Sequence, residues 1–181
     1  YYWDDIFWVG PGPPPTIELP VNFDIDTADY DLVDFGGNMS EIIIDPDDAD
    51  NNIVNSIKTE TAESWAGTTI ANTLGLVEPL PFHPDSAHMS VRVWSPEEGI
   101  PVRLKAENVS NGGIFTETEA VTSIAMEWDT LIFNFATPAT GAPAIDYNSE
   151  YSKLSIFFNF VVTGAVAGEQ TYHWDDVVWI G

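Results

Sequence analysis

Short strand-like segments separated by turn material, with no helical periodicity among them, constrain this chain more than any other feature. Glu41–Asp45 (EIIID), Met89–Trp94 (MSVRVW), Pro101–Glu107 (PVRLKAE), Ile114–Val121 (IFTETEAV), Asp129–Phe135 (DTLIFNF), Lys153–Phe160 (KLSIFFNF) and Tyr172–Ile180 (YHWDDVVWI) are rich in β-branched and aromatic residues. Several alternate polar with apolar side chains, the pattern of a strand with one face buried. DPDDADNN, SPEEG, NVSNGG, TPATGAP and TGAVAGE lie between them and read as turns. Many short strands without helices predict an all-β protein, an antiparallel β-sandwich of the jelly-roll kind.

A second feature divides the chain. The opening YYWDDIFWVG nearly repeats in the closing YHWDDVVWIG, with Trp3 on Trp174, Asp4 on Asp175, Asp5 on Asp176 and Trp8 on Trp179. A repeat seen only at the two edges predicts a piece of a tandem array. On that reading residues 1–10 are the terminal strand of a preceding repeat. The proline-rich PGPPP of residues 11–15 is a stiff linker, and residues 16–181 are the module.

Composition then limits the partners. Five Lys+Arg stand against 29 Asp+Glu, a formal charge of −24. Such a surface repels phosphate backbones and anionic headgroups, so neither nucleic acid nor membrane insertion is expected. No run of ~18 apolar residues is present to span a bilayer. The same charge favours hard divalent cations, although a solvated, salt-tolerant surface would carry it equally well. There are no cysteines, which excludes disulfides and leaves the compartment open.

Catalytic motifs are missing. The sequence has no nucleophile elbow, HExxH, phosphate loop or dinucleotide fingerprint, and no carboxylate pair stands out from so many acids. Metal ligands are easier to place. Asp24 in VNFDID and Asp175 with Asp176 in WDDV fall on the first and last strands, which in a jelly roll run side by side, so these carboxylates are expected to converge. Two acidic strand ends facing water would look the same.

A polar sheet face offers the other candidate site. Arg92 and Trp94 share one side of VRVW, and Arg103, Lys105 and Glu107 share one side of VRLKAE. Read as neighbouring strands, they gather on one face the chain's scarce cations with acids and aromatics. Trp65, in SWAGTTIA, has little apolar company and is expected to be exposed. Pyranose rings pack on aromatic planes while Arg and Glu bind their hydroxyls, so the face suits a sugar. An ion-pair ladder between strands is the other reading.

In order, the NF-D strand, the W-G element, VRVWSP…GIPVRLKAE, EWDTLIFNF and YHWDDVVWIG resemble non-catalytic carbohydrate-binding modules of the β-sandwich, jelly-roll type. Such modules occur in polysaccharide-degrading and glycan-binding surface proteins of marine Bacteroidetes-like bacteria. The resemblance covers about residues 17–181. It implies no enzyme activity, a polysaccharide partner, an extracellular or cell-surface location, and a structural calcium held by Asp24 and Asp175 with Asp176 beside them. It implies none of the ligand contacts; Trp65, Arg92, Trp94, Arg103, Lys105 and Glu107 rest on the face argument. A neutral glucan fits the acidity better than a polyuronate. The competing expectation is a calcium-stabilised adhesin or filament repeat that joins adjacent copies of itself by strand addition.

Overall fold

The computed structural model describes residues 17–25 and 28–181. The repeated opening decapeptide and its proline linker lie outside them. Ten strands follow: β1 (Val33–Phe35), β2 (Asn38–Asp45), β3 (Asp48–Lys58), β4 (Gly67–Ile70), β5 (His88–Trp94), β6 (Pro101–Asn108), β7 (Asn111–Val121), β8 (Trp128–Asn134), β9 (Lys153–Phe158) and β10 (Gln170–Trp179), with one helical turn, α1 (Gly164–Ala167), before the last. They form two five-stranded sheets, β1-β4-β9-β6-β7 and β2-β3-β10-β5-β8. Every named pairing is antiparallel. This is the expected all-β sandwich.

Alternation builds the core. Val91 and Val93 of β5, Val102, Leu104 and Ala106 of β6, Leu154, Ile156 and Phe158 of β9, and Tyr172 and Trp174 of β10 all point between the sheets and are buried. Phe158 stacks on Tyr172 at 4.6 Å, joining the two layers. A polar chain also crosses between them: Trp174 Nε1 donates to Ser56 Oγ at 2.9 Å, Ser56 shares a hydrogen bond with Ser40, and Ser40 with Thr68, whose hydroxyl donates to Asp34. The buried amide of Asn38 joins the same chain, donating to Asp34, Ser40 and Thr68.

Two expectations need correction. Asp48–Asn52 is not turn material: it is the start of β3, paired with β2, and only Pro46 and Asp47 turn the hairpin. Acidic and amide residues read as a turn by composition, yet an exposed strand tolerates them once a neighbouring strand fixes its backbone. More consequentially, β5 and β6 are not neighbours. The six-residue Ser95–Ile100 connection carries the chain from one sheet to the other, so their polar sides face opposite ways out of the sandwich.

Candidate functional site

That crossover divides the predicted polar face in two. Arg103, Lys105 and Glu107 point outward from the β1-β4-β9-β6-β7 sheet. Arg92 and Trp94 point outward from the other.

On the first sheet, strand register lines the outer residues into rows. Phe157 faces Arg103, and Arg103 faces Glu119. Thr69 faces Ser155, Ser155 faces Lys105, and Lys105 faces Glu117. Lys153 faces Glu107, and Glu107 faces Phe115. The Arg103 guanidinium reaches Glu117 at 3.0 Å and Glu119 at 3.2 Å and lies 3.7 Å over the Phe160 ring. Lys105 and Lys153 both pair with Glu107. Burial pushes the Glu107 carboxyl up, but the hydrogen bonds and charges of Lys105 and Lys153 outweigh it and hold the group below the usual range. The ion-pair ladder is therefore real.

Aromatic rings continue the face toward β1. Trp65, half exposed, stacks on Phe35 at 6.1 Å with the planes 10° apart. Phe35 meets Phe157 edge-on at 5.3 Å, and Phe157 meets Phe160 at 5.6 Å. Gly67 allows this closure. A Cβ there would stand 2.4 Å from the Ile156 carbonyl oxygen and 2.9 Å from Phe35, so the rings meet only because the strand between them has no side chain. Trp65 thus joins Arg103, Lys105 and Glu107 on one surface, through Phe35 and Phe157.

On the second sheet, Arg92 and Trp94 have other company. His173 faces Trp94, and Trp94 faces Trp128 across the ladder. The His173 ring lies 5.2 Å from Trp94 and 6.4 Å from Trp128. The Arg92 guanidinium sits 4.0 Å over Trp128 and 3.9 Å from Asp175. Trp128, the first residue of β8, was not among the site residues expected from the sequence. What could not be read was which strands lie beside it.

The segment carrying Asp24 meets the strand carrying Asp175 and Asp176 at the chain end. Val21 and Val177 exchange both backbone hydrogen bonds, at 3.0 and 2.9 Å, so the segment before β1 runs along β10 where that strand bulges between Asp175 and Val178. Asp24 accepts from the Asn52 backbone N–H at 2.8 Å. Asn51 donates to both Asp45 and Asp175, each at 3.3 Å. Asp175 is 1% exposed and its Oδ1 has no hydrogen-bond partner. Burial, with the charges of Asp176 and Asp24 adding to it, pushes its carboxyl up to about 6 against the Asp176 and Asn51 hydrogen bonds. Asp176 is exposed, in left-handed backbone at φ 50°. Among the described residues no three histidine or carboxylate groups can hold a metal unaided. Calcium, however, also takes amide and carbonyl oxygens.

Asn38-Met39-Ser40 and Asn108-Val109-Ser110 are triplets of the Asn-X-Ser glycosylation type, and neither presents a free asparagine. Asn38 is buried in the intersheet chain, and the Asn108 amide donates to the Glu150 carbonyl.

Comparison with solved structures gives this geometry a context. The family 11 carbohydrate-binding module of a cellulosomal cellulase of Clostridium thermocellum superposes with a TM-score of 0.56 at 11% identity, over 93% of this chain and 96% of that one. The same family's module bound to a β-1,3-1,4-mixed-linked tetrasaccharide gives 0.56 at 12%, over 87% and 92%. The chain has the fold of a carbohydrate-binding module. A xylan-binding domain from Paenibacillus barcinonensis also matches, at 0.50 and 14% identity, over 87% of this chain and 94% of that one. An exo-β-agarase matches at 0.56 and 10%, over 90% of this chain, which spans only about a quarter of the agarase. No protein-family model matches the sequence, and no curated protein does. Among the described residues no helix is long and apolar enough to cross a membrane.

Proposed function

We propose that the chain is a non-catalytic module that holds a larger extracellular or cell-surface protein on a polysaccharide, a neutral glucan by preference. The observation carrying this is the outer face of the β1-β4-β9-β6-β7 sheet. In a molecule of charge −24, three of the five cations meet three glutamates there and cancel them. An aromatic strip ending in half-exposed Trp65 adjoins this balanced patch. Sugar rings would pack on the strip, and their hydroxyls would bond to groups that the ladder already fixes, so little side-chain entropy is lost on binding. Affinity electrophoresis against β-glucans, xylan, agarose and polyuronates tests it. Retardation by a neutral polymer that Trp65→Ala weakens supports the reading; no retardation by any polymer refutes it.

Calcium belongs to the same proposal. The buried, unpartnered Asp175 Oδ1 is a costly group at neutral pH unless a cation meets it. Asp24, the exposed Asp176 and the side-chain oxygen of Asn51 supply further hard oxygens nearby. Asp24 and Asp175 would hold the ion, with Asp176 contributing charge, and the ion would clamp the segment before β1 onto β10. Its work is structural.

A second reading keeps one observation. Edge strand β2 exposes Met39, Ile42 and Ile44, and an open edge of that kind can accept a strand from an adjacent copy. Light scattering with calcium and with chelator tests for such assembly; a monomer in both refutes it.

A further inference from the structure

We propose that the cleft over the outer face of the β2-β3-β10-β5-β8 sheet is a second, separate site that takes a single neutral sugar ring, so that the module holds glycan on both faces. This rests on the carbohydrate reading above. The cleft has a volume of about 170 Å³ and is lined by Trp94, Trp128, His173, Ile53 and the Asp45–Asp47 turn. Ligand clefts commonly run from ~300 to ~1,000 Å³, so this one has room for a ring and not for a chain.

Its walls suit that occupant. Two indoles and an imidazole, brought together by register, offer aromatic planes to the C–H face of a pyranose. Ile53 is fully buried beneath them yet lies outside the intersheet core, so it is an apolar floor to this cleft alone. The rim is polar: Asp47 is exposed there, while buried Asp45 accepts from Asp47 and Asn51. His173 Nδ1 is buried without a hydrogen-bond partner, and a sugar hydroxyl would supply one.

Charge excludes the alternatives. Asp45 and Asp47 line the cleft, and the nearby Arg92 is committed to Trp128 and Asp175. A uronate or sulfated sugar would meet repulsion with nothing to answer it. The cleft and the aromatic strip open on opposite sides of the sandwich, with the core of Val91, Val93 and Leu104 between them. One module could therefore bridge two glycan chains.

Amide and indole NMR spectra test the inference, since each tryptophan gives its own Nε1 signal. The probes are single rings (methyl β-glucoside, methyl β-xyloside and methyl β-galactoside) and the β-1,3-1,4-mixed-linked tetrasaccharide with xylohexaose. A single ring is expected to shift the Trp94 and Trp128 signals and leave Trp65 in place, while a longer probe shifts Trp65. Trp128→Ala abolishes the first response and spares the second. The Trp174 indole, bonded inside the core, reports that the variant is folded. Trp128→Phe, which keeps an aromatic ring on the edge strand, serves if the alanine variant is not folded and should weaken single-ring binding at least fivefold. If no single ring moves Trp94 or Trp128 while a longer probe binds beside Trp65, the second site is refuted and the module reading stands. If no probe moves any indole, both fall.

Discussion

Among the described residues Lys58 is the one lysine or arginine that points between the sheets, and its energetics can be worked through. It ends β3 on the inward side, 1% exposed, with Nζ donating to the carbonyls of Phe158 and Asn159, each at 3.0 Å. No carboxylate pairs with it among the described residues. Burial lowers its pKa from 10.5 to about 8. The folded state therefore releases this proton before the unfolded state does, and the unfolded chain binds the extra proton between those two values. Stability must rise with pH across that window. At ~1.4 kcal/mol per pKa unit the rise is roughly 3 kcal/mol. Below pH 8 the group is charged in both states and its desolvation cost is constant.

Lys58→Met removes the charge but leaves two carbonyls without a donor, at ~1 kcal/mol or more each. The variant should then be close to wild type at pH 7, the two effects nearly cancelling. At pH 10.5 it should be the less stable of the two by about 2–3 kcal/mol, because the neutral amine of the wild type still donates. Urea denaturation of both proteins from pH 7 to 10.5 measures this, and taking the difference removes the tyrosines and other shared groups. Parallel curves across that range would show that Lys58 is not buried as a charged group, and would refute the reasoning.

Three further outcomes follow from the sites. At pH 7 calcium should raise the Tm by several degrees over chelator, and Asp175→Asn should abolish the difference; a variant with the wild-type calcium response would remove Asp175 from the ion. In chelator the wild type should lose roughly 3 kcal/mol as pH rises from about 4 to about 6, because folded Asp175 keeps its proton longer than the unfolded chain does; the Asn variant should lack this slope. Gly67→Ala should cost ~1–3 kcal/mol, since its methyl would collide with the Ile156 carbonyl and the Phe35 ring; a variant melting with the wild type would mean the aromatic strip is loosely packed.

The fold could be read from the sequence because alternation is local. MSVRVW, PVRLKAE and the first part of KLSIFFNF show their periods within a few residues, and each forms a strand. β4 could not, because GTTI is four residues long with two adjacent threonines and shows no alternation, and all four residues are buried. The site was legible only in its parts. Whether Arg92 shares a face with Arg103 depends on the path of Ser95–Ile100, and SPEEGI reads the same whether it closes a hairpin or crosses between sheets. The pairing of Asp24 with the Asp175 strand could be anticipated from topology. Asn51, which lies between Asp45 and Asp175, could not, because its composition reads as a turn.

How the charges are distributed leads to a last prediction. All five Lys and Arg residues are engaged: one in the core, one on Trp128 and Asp175, and three in the glutamate ladder of the proposed glycan face. The negative charge left over lies elsewhere on the surface, with no lysine or arginine free to screen it. Salt should therefore act on the molecule in two separable ways. Self-repulsion of the acidic surface is screened over a Debye length that falls from ~10 Å at 0.1 M to ~3 Å at 1 M, so the fold should become more stable as sodium chloride is raised. The glycan face is locally neutral, and its ion pairs are partly buried and short, where screening is weak. Binding of a neutral glucan there should change by less than about twofold between 50 and 500 mM salt, while the Tm climbs over the same range. Isothermal titration and thermal melts on one set of samples measure both. Binding that weakened tenfold with salt would mean that the ladder opens to admit the ligand, and that the face is not fixed before the sugar arrives.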